Sequence, residues 1–397
     1  MAPASWLYLG LISGTSADGI DAALVEFATP PAAEPFTAGH SGKASWPLRI
    51  VAARTTPYPQ DLRRRVLALA TSDASITLDD YGRLDVEIGE CFAAAANALL
   101  DEAGVRRGAV VAIGSHGQTV RHRVGGAHPF TLQIGDPSVI AERTGLTTVT
   151  DFRRADVAAG GQGAPLLPSL HAAAFADPAV PRAILNLGGI ANLTLLEHAR
   201  PVIGFDSGPA NCLLDAWAER HLGAPRDENG AWARSGRVDE ALLAELLADP
   251  YFAAAPPKST GREDFNLAWL DARLPSRCAP ADVQATLLAL SARSIADALR
   301  AHAPATREVY ACGGGVHNAA LMEALRAQLP RLRVDSTAAL GLDPDYVEAV
   351  GFAWLARERL DGDPGNLPSV TGARGPRRLG AIYPAGGDGA LSRPMSR

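Results

Sequence analysis

The pattern of apolar and polar residues predicts an α/β protein whose elements come in two sets. The first set opens with two short apolar runs of strand length on either side of a polar loop, residues 13–21, and a third strand follows at 48–55. Apolar residues at helical spacing then predict helices at 59–70 and 78–103. The first set closes with two strands and a helix, at 109–114, 130–134 and 137–144.

The second set begins as the first does. After a glycine-rich link at 158–165, RAILNLGGIANLTLLE again predicts a strand, a glycine turn and a second strand, and VIGFDS predicts a third. A further strand is expected at EVYACGGG, and helices are expected at 209–222, 238–248, 282–303, 318–329 and 345–360. Two sets that open alike predict a duplicated domain, with two α/β lobes around a central cleft. We expect the first lobe at 1–157 plus 362–397 and the second at 158–361.

Composition narrows the class of protein. A chain of 397 residues exceeds one ordinary core, which agrees with two domains. The net charge of −6 gives no support for binding nucleic acid or a membrane surface, and no apolar run approaches the roughly 18 residues of a membrane span. The N-terminal residues lack the basic region of a secretory signal, and the four cysteines have no metal-type spacing, so we expect a cytoplasmic protein with reduced thiols. The only lysines, Lys43 and Lys258, lie outside a GxxxxGK[ST] context, which excludes a Walker nucleotide site.

The loop GTSADGID, residues 14–21, combines glycines, hydroxyl groups and two carboxylates. Because the residues after it have strand rather than helix length, the loop is predicted to be the tip of a β-hairpin. Its glycines allow backbone N–H groups to turn toward an anion, Thr15 and Ser16 add donors, and Asp18 and Asp21 would orient Mg²⁺ or a substrate hydroxyl. The alternative is an ordinary hairpin turn, in which Asp-Gly is common for its positive φ.

Two further glycine turns repeat this chemistry. NLGGIAN, 186–192, would bind phosphate, or it is a glycine bulge between strands. ACGGGVHN, 311–318, lies between a strand and a helix, where successive glycines let a flat group such as adenosine approach the backbone. A plain helix-entry loop is the alternative there.

Polar side chains also follow the ends of predicted strands. Asp206 ends a strand just before a helix start, which suits a general base in a cleft, and its alternative role is a helix cap. SHGQTVRH, 115–122, suits a sugar or carboxylate site, although a lone histidine there is more often structural. Arg153 and Arg154 would clamp a carboxylate or phosphate, or form surface ion pairs. Glu348, on an otherwise apolar helix surface, is either a ligand contact or a solvent-facing residue.

Together these motifs resemble the anhydro-N-acetylmuramic acid kinases, members of the acetate and sugar kinase/Hsp70/actin superfamily. The matching segments run in family order from about residue 9 to residue 384 and include LISGTSADGID, DFRRADVAAGGQGAPL, ILNLGGIANLT, GFDSGPANCLLDAW, KSTGREDFN and VTGARGPRRLGAIYP. The departures are mild, because Ala17 replaces a larger apolar residue and residues 29–45 have the composition of an insertion. The resemblance implies two RNase H-like lobes, as in actin-like ATPases and sugar kinases, and a homodimer.

The resemblance also implies a reaction between small molecules and a set of site residues. ATP with Mg²⁺ would phosphorylate O6 of 1,6-anhydro-N-acetylmuramic acid, released in cell-wall turnover, while water opens the anhydro bridge at C1. Asp206 matches the general base on that water, and Asp18 and Asp21 are the candidate Mg²⁺ ligands. The expected sugar contacts are Ser13, His116, Gln118, Thr119, Arg153, Asp206 and Glu348. The expected nucleotide contacts are Gly14, Thr15, Ser16, Ala17, Asp18, Gly19, Ile20, Asp21, Asn186, Gly188, Gly189, Gly208, Asn211, Gly313, Gly314, Gly315 and Asn318.

Two other functions stay open. A sugar kinase of the same superfamily acting on a non-anhydro hexose would use Asp206 to take a proton from a sugar hydroxyl. An actin- or Hsp70-like ATP-driven switch would have no sugar substrate and would leave the polar cluster at 115–121 without a purpose. A catalytically inactive sugar sensor is disfavoured, because Asp206 and all three glycine turns are present.

Overall fold

The computed structural model describes residues 5–14, 16–28, 48–70 and 75–386, and its elements follow the predicted order. The first part of the described chain forms β1 (Ser5–Ser13), β2 (Gly19–Ala28), β3 (Leu48–Pro57), α1 (Gln60–Ala70), α2 (Leu78–Glu102), β4 (Val110–Arg123), β5 (Phe130–Ile134), α3 (Pro137–Thr144), β6 (Thr148–Thr150), α4 (Arg154–Ala158) and α5 (Pro168–Phe175). The remainder forms β7 (Arg182–Leu187), β8 (Ile190–Leu196), β9 (Ile203–Pro209), α6 (Asn211–Leu222), α7 (Ala231–Ser235), α8 (Glu240–Leu247), α9 (Pro250–Ala253), α10 (Leu267–Asp271), α11 (Pro280–His302), β10 (Glu308–Cys312), α12 (Ala319–Gln328), β11 (Arg333–Ser336), α13 (Val347–Asp361), α14 (Pro368–Thr371) and β12 (Ala381–Tyr383).

The chain forms two compact units. Unit 1 contains the described residues up to Leu170 and those from Glu348 onward, and unit 2 contains His171–Val347. These bounds differ from the predicted lobes, because residues 158–170 and 348–361 belong to unit 1 rather than to the second lobe.

The position of α13 explains one of these differences. A Cβ on Gly10 of β1 would overlap the Ala349 carbonyl oxygen, and one on Gly114 of β4 would overlap that of Phe352. The two glycines therefore let the helix backbone lie directly on the sheet of unit 1, a contact between residues far apart in sequence.

The sheet of unit 1 has the strand order β12-β6-β4-β1-β2-β3, with β5 paired to β4. The strands β1, β2 and β3 are antiparallel neighbours, while β4 and β6 continue the sheet parallel to β1. The β1–β2 pairing ends at Ile12 opposite Asp21, so the predicted hairpin tip is confirmed. The apolar face of α2, including Leu84, Ile88 and Phe92, lies in the core against this sheet.

The sheet of unit 2 has the order β11-β10-β7-β8-β9. Its first three strands are again antiparallel, and β10 and β11 again run parallel to the first of them. Both sheets contain three antiparallel strands followed, beside the first of them, by two parallel strands, in the orders β3-β2-β1-β4-β6 and β9-β8-β7-β10-β11. The predicted duplication into two RNase H-like units is therefore confirmed. The long helix α11 provides much of the core of unit 2, through residues such as Leu287, Leu290 and Ile295.

Most residues predicted to start or end a helix or strand do so in the structure. Asp136 caps α3 by accepting from the amides of Ser138 and Val139, and Gly145 ends that helix in the left-handed conformation. Two expectations were wrong. Strand β4 continues to Arg123, so the polar cluster lies within it rather than after it, because β5 supplies a partner strand. Strand β9 continues to Pro209, so α6 starts at Asn211.

Some predictions fall on residues that the structure does not describe, namely Thr15 and the expected insertion at 29–45. All four cysteines are free thiols. Within the described ranges, no helix has both the length and the apolarity that a bilayer span requires.

Candidate active site

The loop between β1 and β2 is held by side chains of unit 1. The Gly14 carbonyl accepts from the Ala17 amide at 3.1 Å and from Gln118 Nε2 at 3.1 Å. Arg63 of α1 donates to the carbonyl groups of Ser16 and Ala17 at 3.2 and 3.1 Å. These bonds engage the carbonyl groups of Gly14, Ser16 and Ala17, and the Ala17 amide is used within the loop.

The two carboxylates of this loop differ in their surroundings. Asp18 is exposed and pairs with Arg63 at 2.7 Å. Asp21 accepts a 2.5 Å hydrogen bond from the Thr55 hydroxyl and lies close enough to Glu348 to raise the pKa of that residue. Among the described residues, no group of three or more His, Cys, Asp or Glu side chains forms a metal cage. Mg²⁺ commonly keeps water and substrate phosphates as ligands and takes one or two protein carboxylates, so Asp21 fits this role better than Asp18.

A second group of polar side chains in unit 1 centres on Arg153. Its Nε donates to His116 Nε2 at 2.9 Å, and its Nη1 donates to the Gly163 carbonyl at 2.7 Å. The other ring nitrogen of His116 lies 3.0 Å from the Gly117 carbonyl, which fixes the neutral tautomer with its proton on Nδ1. Burial and the Arg153 charge hold the pKa of His116 well below its usual value. The histidine therefore orients Arg153 as a neutral acceptor.

Glu348, in the first turn of α13, faces this arginine. Burial raises the pKa of Glu348, the Asp21 charge raises it further, and Arg153 opposes both effects. Burial also lowers the pKa of Arg153 to about 10, against the attraction of Glu348 and Asp156. The predicted residues Arg153, His116 and Glu348 thus form one polar group, and the solvent-facing alternative for Glu348 is wrong because the side chain is only partly exposed.

The remaining predicted sugar contacts of unit 1 lie on neighbouring strands. Ser13 of β1 pairs in register with Gln118 of β4, and both are buried. Tyr58 lies beside Ser13 and donates to Gln118 Oε1 at 3.4 Å. Thr119 accepts from Gln133 Nε2 at 3.2 Å, so its hydroxyl contributes to the β4–β5 hairpin.

In unit 2, Asp206 is partly buried, and hydrogen bonds fix both of its carboxylate oxygens. Asn192 Nδ2 donates to Oδ1 at 2.7 Å, and the Thr260 amide donates to Oδ2 at 3.0 Å. Burial raises the pKa of Asp206, while these two hydrogen bonds and the Lys258 charge oppose the shift. The helix-cap alternative for Asp206 is wrong, because α6 starts at Asn211 and no amide of that helix bonds to the Asp206 carboxylate.

The segment 258–265 encloses Asp206 from another part of the chain. The Asp206 amide donates to the Lys258 carbonyl at 3.1 Å, and the Tyr251 hydroxyl donates to the Asp206 carbonyl at 2.7 Å. Lys258 Nζ lies 4.6 Å from the centre of the Tyr251 ring and donates to the Tyr251 carbonyl. The backbone of Asp206 is therefore held as firmly as its carboxylate.

The two glycine turns of unit 2 lie side by side. A Cβ on Gly313 would overlap Asn186 Oδ1, and one on Gly315 would come within 2.6 Å of the Leu187 Cβ and 3.0 Å of Asn211 Nδ2. Glycine is thus required at both positions by the close approach of the neighbouring turn. Gly314 has open space around it and is exposed.

The amides at the start of α6 are already used within the protein. The amides of Ala210 and Cys212 donate to the Gly189 carbonyl, and the Asn211 amide and Nδ2 donate to that of Gly188. These bonds fix the Gly188–Gly189 turn and make Asn211 a supporting residue. Asn318 caps α12 by accepting from the Leu321 amide at 3.1 Å, so its side chain has a helix-entry role.

Gly208 has a packing role in addition to the nucleotide contact predicted for it. Its φ is +146°, and a Cβ there would lie 2.6 Å from the ring of Phe252. The glycine therefore allows Phe252 to cover this end of β9.

Sequence reasoning missed several residues of this site. Asn192, Tyr251 and Thr260 were not predicted, although the KSTGRE and NLGGIAN motifs contain two of them. Arg262 was also missed. Its guanidinium lies within 3.1 Å of the position that a Cβ on Gly189 would take, and within the described residues it makes no ion pair. Arg262 lies in the KSTGREDFN motif, to which no function had been assigned. An arginine in an otherwise unexplained motif is the signal that could have identified it.

Comparison with known proteins identifies the family. A family model described as "Anhydro-N-acetylmuramic acid kinase" matches residues 6–385. A protein of that name from Xanthomonas campestris is 57% identical over 380 residues, which cover 96% of this chain and 97% of the relative. Relatives of the same name from Xylella fastidiosa and Coxiella burnetii are 53% and 48% identical, with coverage of 96% and 95% of this chain and 96% and 97% of the relatives.

Proposed function

Since the chain belongs to the anhydro-N-acetylmuramic acid kinase family, we propose that it uses ATP to phosphorylate O6 of 1,6-anhydro-N-acetylmuramic acid while water opens the anhydro bridge. The product would be N-acetylmuramic acid 6-phosphate, formed in the recovery of cell-wall sugar. The observation that carries this proposal is the arrangement of Asp206, whose two carboxylate oxygens each accept one hydrogen bond from the protein.

Asp206 would act as the general base on the water that attacks C1. Water is a poor nucleophile, and a carboxylate within hydrogen-bond reach of it typically contributes about 10²- to 10⁴-fold in rate. Burial raises the pKa of Asp206, which strengthens it as a base, while the bonds from Asn192 and Thr260 favour its ionised form and oppose the shift. Each oxygen has lone-pair capacity beyond the one protein donor it engages.

The phosphoryl half of the reaction needs positioning and charge neutralisation. The loop at 14–18 would bind the γ-phosphate end, the Gly188–Gly189 turn the β/γ region, and the Gly313–Gly315 turn the adenosine. Arg262 beside Gly189 would supply positive charge that a Walker lysine supplies in other nucleotide sites.

Magnesium would be held by Asp21 together with phosphates and water. The ion would neutralise charge on the transferred phosphoryl group. Asp18 is better explained as the partner of Arg63, which supports the backbone of the same loop.

The sugar would be recognised in unit 1 through its carboxylate. Arg153 engages its Nε and one Nη1 hydrogen within the protein, which leaves Nη2 to donate to a carboxylate. Glu348, with a raised pKa, would bind a hydroxyl or the acetamido N–H of the sugar.

The test is a comparison of substrates. With ATP present, we expect phosphorylation of the 1,6-anhydro sugar and little reaction with ring-opened N-acetylmuramic acid. Preference for the ring-opened sugar would support a kinase acting on an ordinary hexose. ATP hydrolysis that is unchanged by the anhydro sugar would support an ATP-driven switch.

A further inference from the structure

Asp156 is a buried carboxylate of unit 1 that the proposed chemistry does not use. Its side chain has no solvent exposure. Asn366 Nδ2 and the Thr371 hydroxyl donate to Oδ1 at 2.6 and 2.7 Å, and the Gly163 amide donates to Oδ2 at 2.8 Å. A fully buried charge is costly unless it is paired and hydrogen-bonded, and here donors from two separate segments satisfy it.

The glycine-rich link at 158–165 is built around this carboxylate. A Cβ on Gly161 would overlap Asp156 Oδ2, and one on Gly163, whose φ is +66°, would lie 2.7 Å from Val157. The Gln162 amide also donates to the Thr371 carbonyl at 2.8 Å. The glycines of this motif therefore let the link close tightly over Asp156.

The same link holds the predicted sugar-binding arginine. Gly163 connects the two sites, because its amide donates to Asp156 Oδ2 and its carbonyl accepts from Arg153 Nη1 at 2.7 Å. Arg153 then donates to His116, whose ring lies 4.6 Å from that of Phe352. A continuous series of hydrogen bonds thus runs from the C-terminal segment to the arginine.

We propose that Asp156 is a positioning residue for sugar recognition: it fixes the Gly163 carbonyl that orients Arg153, and through Asn366 and Thr371 it makes the C-terminal segment part of the sugar site. This inference rests on the proposed role of Arg153 in binding the substrate carboxylate. The strength of the hydrogen bonds from Arg153 to a carboxylate depends on the direction of its guanidinium group. Because the Gly163 carbonyl fixes that direction, a small displacement of Gly163 would weaken sugar binding.

The test measures the dissociation constant of the anhydro sugar by calorimetry for Asp156→Asn, Arg153→Ala and the double variant. We expect Asp156→Asn to weaken sugar binding about tenfold, the loss typical of one misplaced hydrogen bond to a charged group. In the Arg153→Ala background, the same substitution should have no further effect, because residues that act through one another are not additive. Affinity for a non-hydrolysable ATP analogue should be unchanged.

Two further variants separate positioning from folding. Thr371→Val removes one of the three donors and keeps side-chain shape, so it should weaken sugar binding in the same direction by a smaller factor. Asp227→Asn, at a buried carboxylate of unit 2 that accepts the amides of Trp232 and Ala233, is the matched control and should leave the sugar constant unchanged.

The effects of Arg153→Ala and Asp156→Asn on sugar binding separate the positioning role of Asp156 from the proposed sugar-binding role of Arg153. If Arg153→Ala weakens sugar binding but Asp156→Asn does not, or if the two losses add, the positioning role is overturned and the proposed sugar site stands. If Arg153→Ala itself leaves sugar binding unchanged, the assignment of the sugar carboxylate to Arg153 is wrong and the inference falls with it.

Discussion

Removing the Asn192 hydrogen bond to Asp206 should shift the pH dependence of the reaction. Asn192→Leu keeps the side-chain size and deletes the 2.7 Å bond to Oδ1. A hydrogen bond to a charged group is worth about 1.5–3 kcal/mol, and one pKa unit corresponds to about 1.4 kcal/mol. Because Asp206 is partly exposed, solvent screens part of this energy, and we expect its already raised pKa to rise by about one further unit.

The direction of this change depends on the proposed role of Asp206 as a base. Only the ionised carboxylate can accept a proton, so a higher pKa moves the acid limb of the kcat/KM profile to higher pH, by about one unit. The profile would be measured at saturating ATP with the anhydro sugar varied. Asn97→Leu, which deletes a hydrogen bond on α2 to the Arg143 carbonyl, is the matched control and should leave the limb in place. A limb that stays fixed in Asn192→Leu, or moves to lower pH, would refute Asp206 as the titrating base.

Three other predictions test separate parts of the structure. Arg262→Ala should raise KM for ATP about tenfold, the loss expected for one charge-assisted contact. Arg293→Ala, which removes an exposed ion pair on α11, is the control and should leave KM for ATP unchanged. Equal effects of the two substitutions would exclude Arg262 from the phosphate site. Gly10→Ala should destabilise the protein by at least about 1–3 kcal/mol in chemical unfolding, because its Cβ meets the α13 backbone, whereas Gly82→Ala, in open space within α2, should stabilise it by up to about 1 kcal/mol. The raised pKa of Glu348 means that the folded protein binds this proton more tightly than the unfolded chain, so wild-type stability is lost as pH rises above the usual glutamate value. Glu348→Gln should therefore gain Tm relative to wild type as the pH rises above the usual glutamate pKa, and a difference that does not change with pH would contradict the raised pKa.

Local signals in the sequence were sufficient for most of the fold. The cap at Asp136, the end at Gly145 and the hairpin at 13–21 depend on residues within one turn or one loop, and the structure confirms all three. The duplication was also predictable, because each unit starts with the same strand–glycine turn–strand pattern.

Contacts between distant residues could not be predicted in the same way. Thr260 reaches Asp206 across 54 residues, and Asn366 and Thr371 reach Asp156 across 210 and 215. The same is true of the unit boundaries, since α13 joins unit 1 through glycines on β1 and β4 that carry no periodic signal of their own. A single sequence indicates which residues have useful chemistry, and the fold decides which of them meet.

We propose that phosphoryl transfer and opening of the anhydro bridge occur in one reaction. The most direct measurement is the mass of the product formed from ATP and 1,6-anhydro-N-acetylmuramic acid, together with the amount of ADP released. We expect a product that has gained one phosphoryl group and one water, in equal amount to the ADP. A phosphorylated product that keeps the anhydro bridge, or ADP formed without any sugar phosphate, would contradict it.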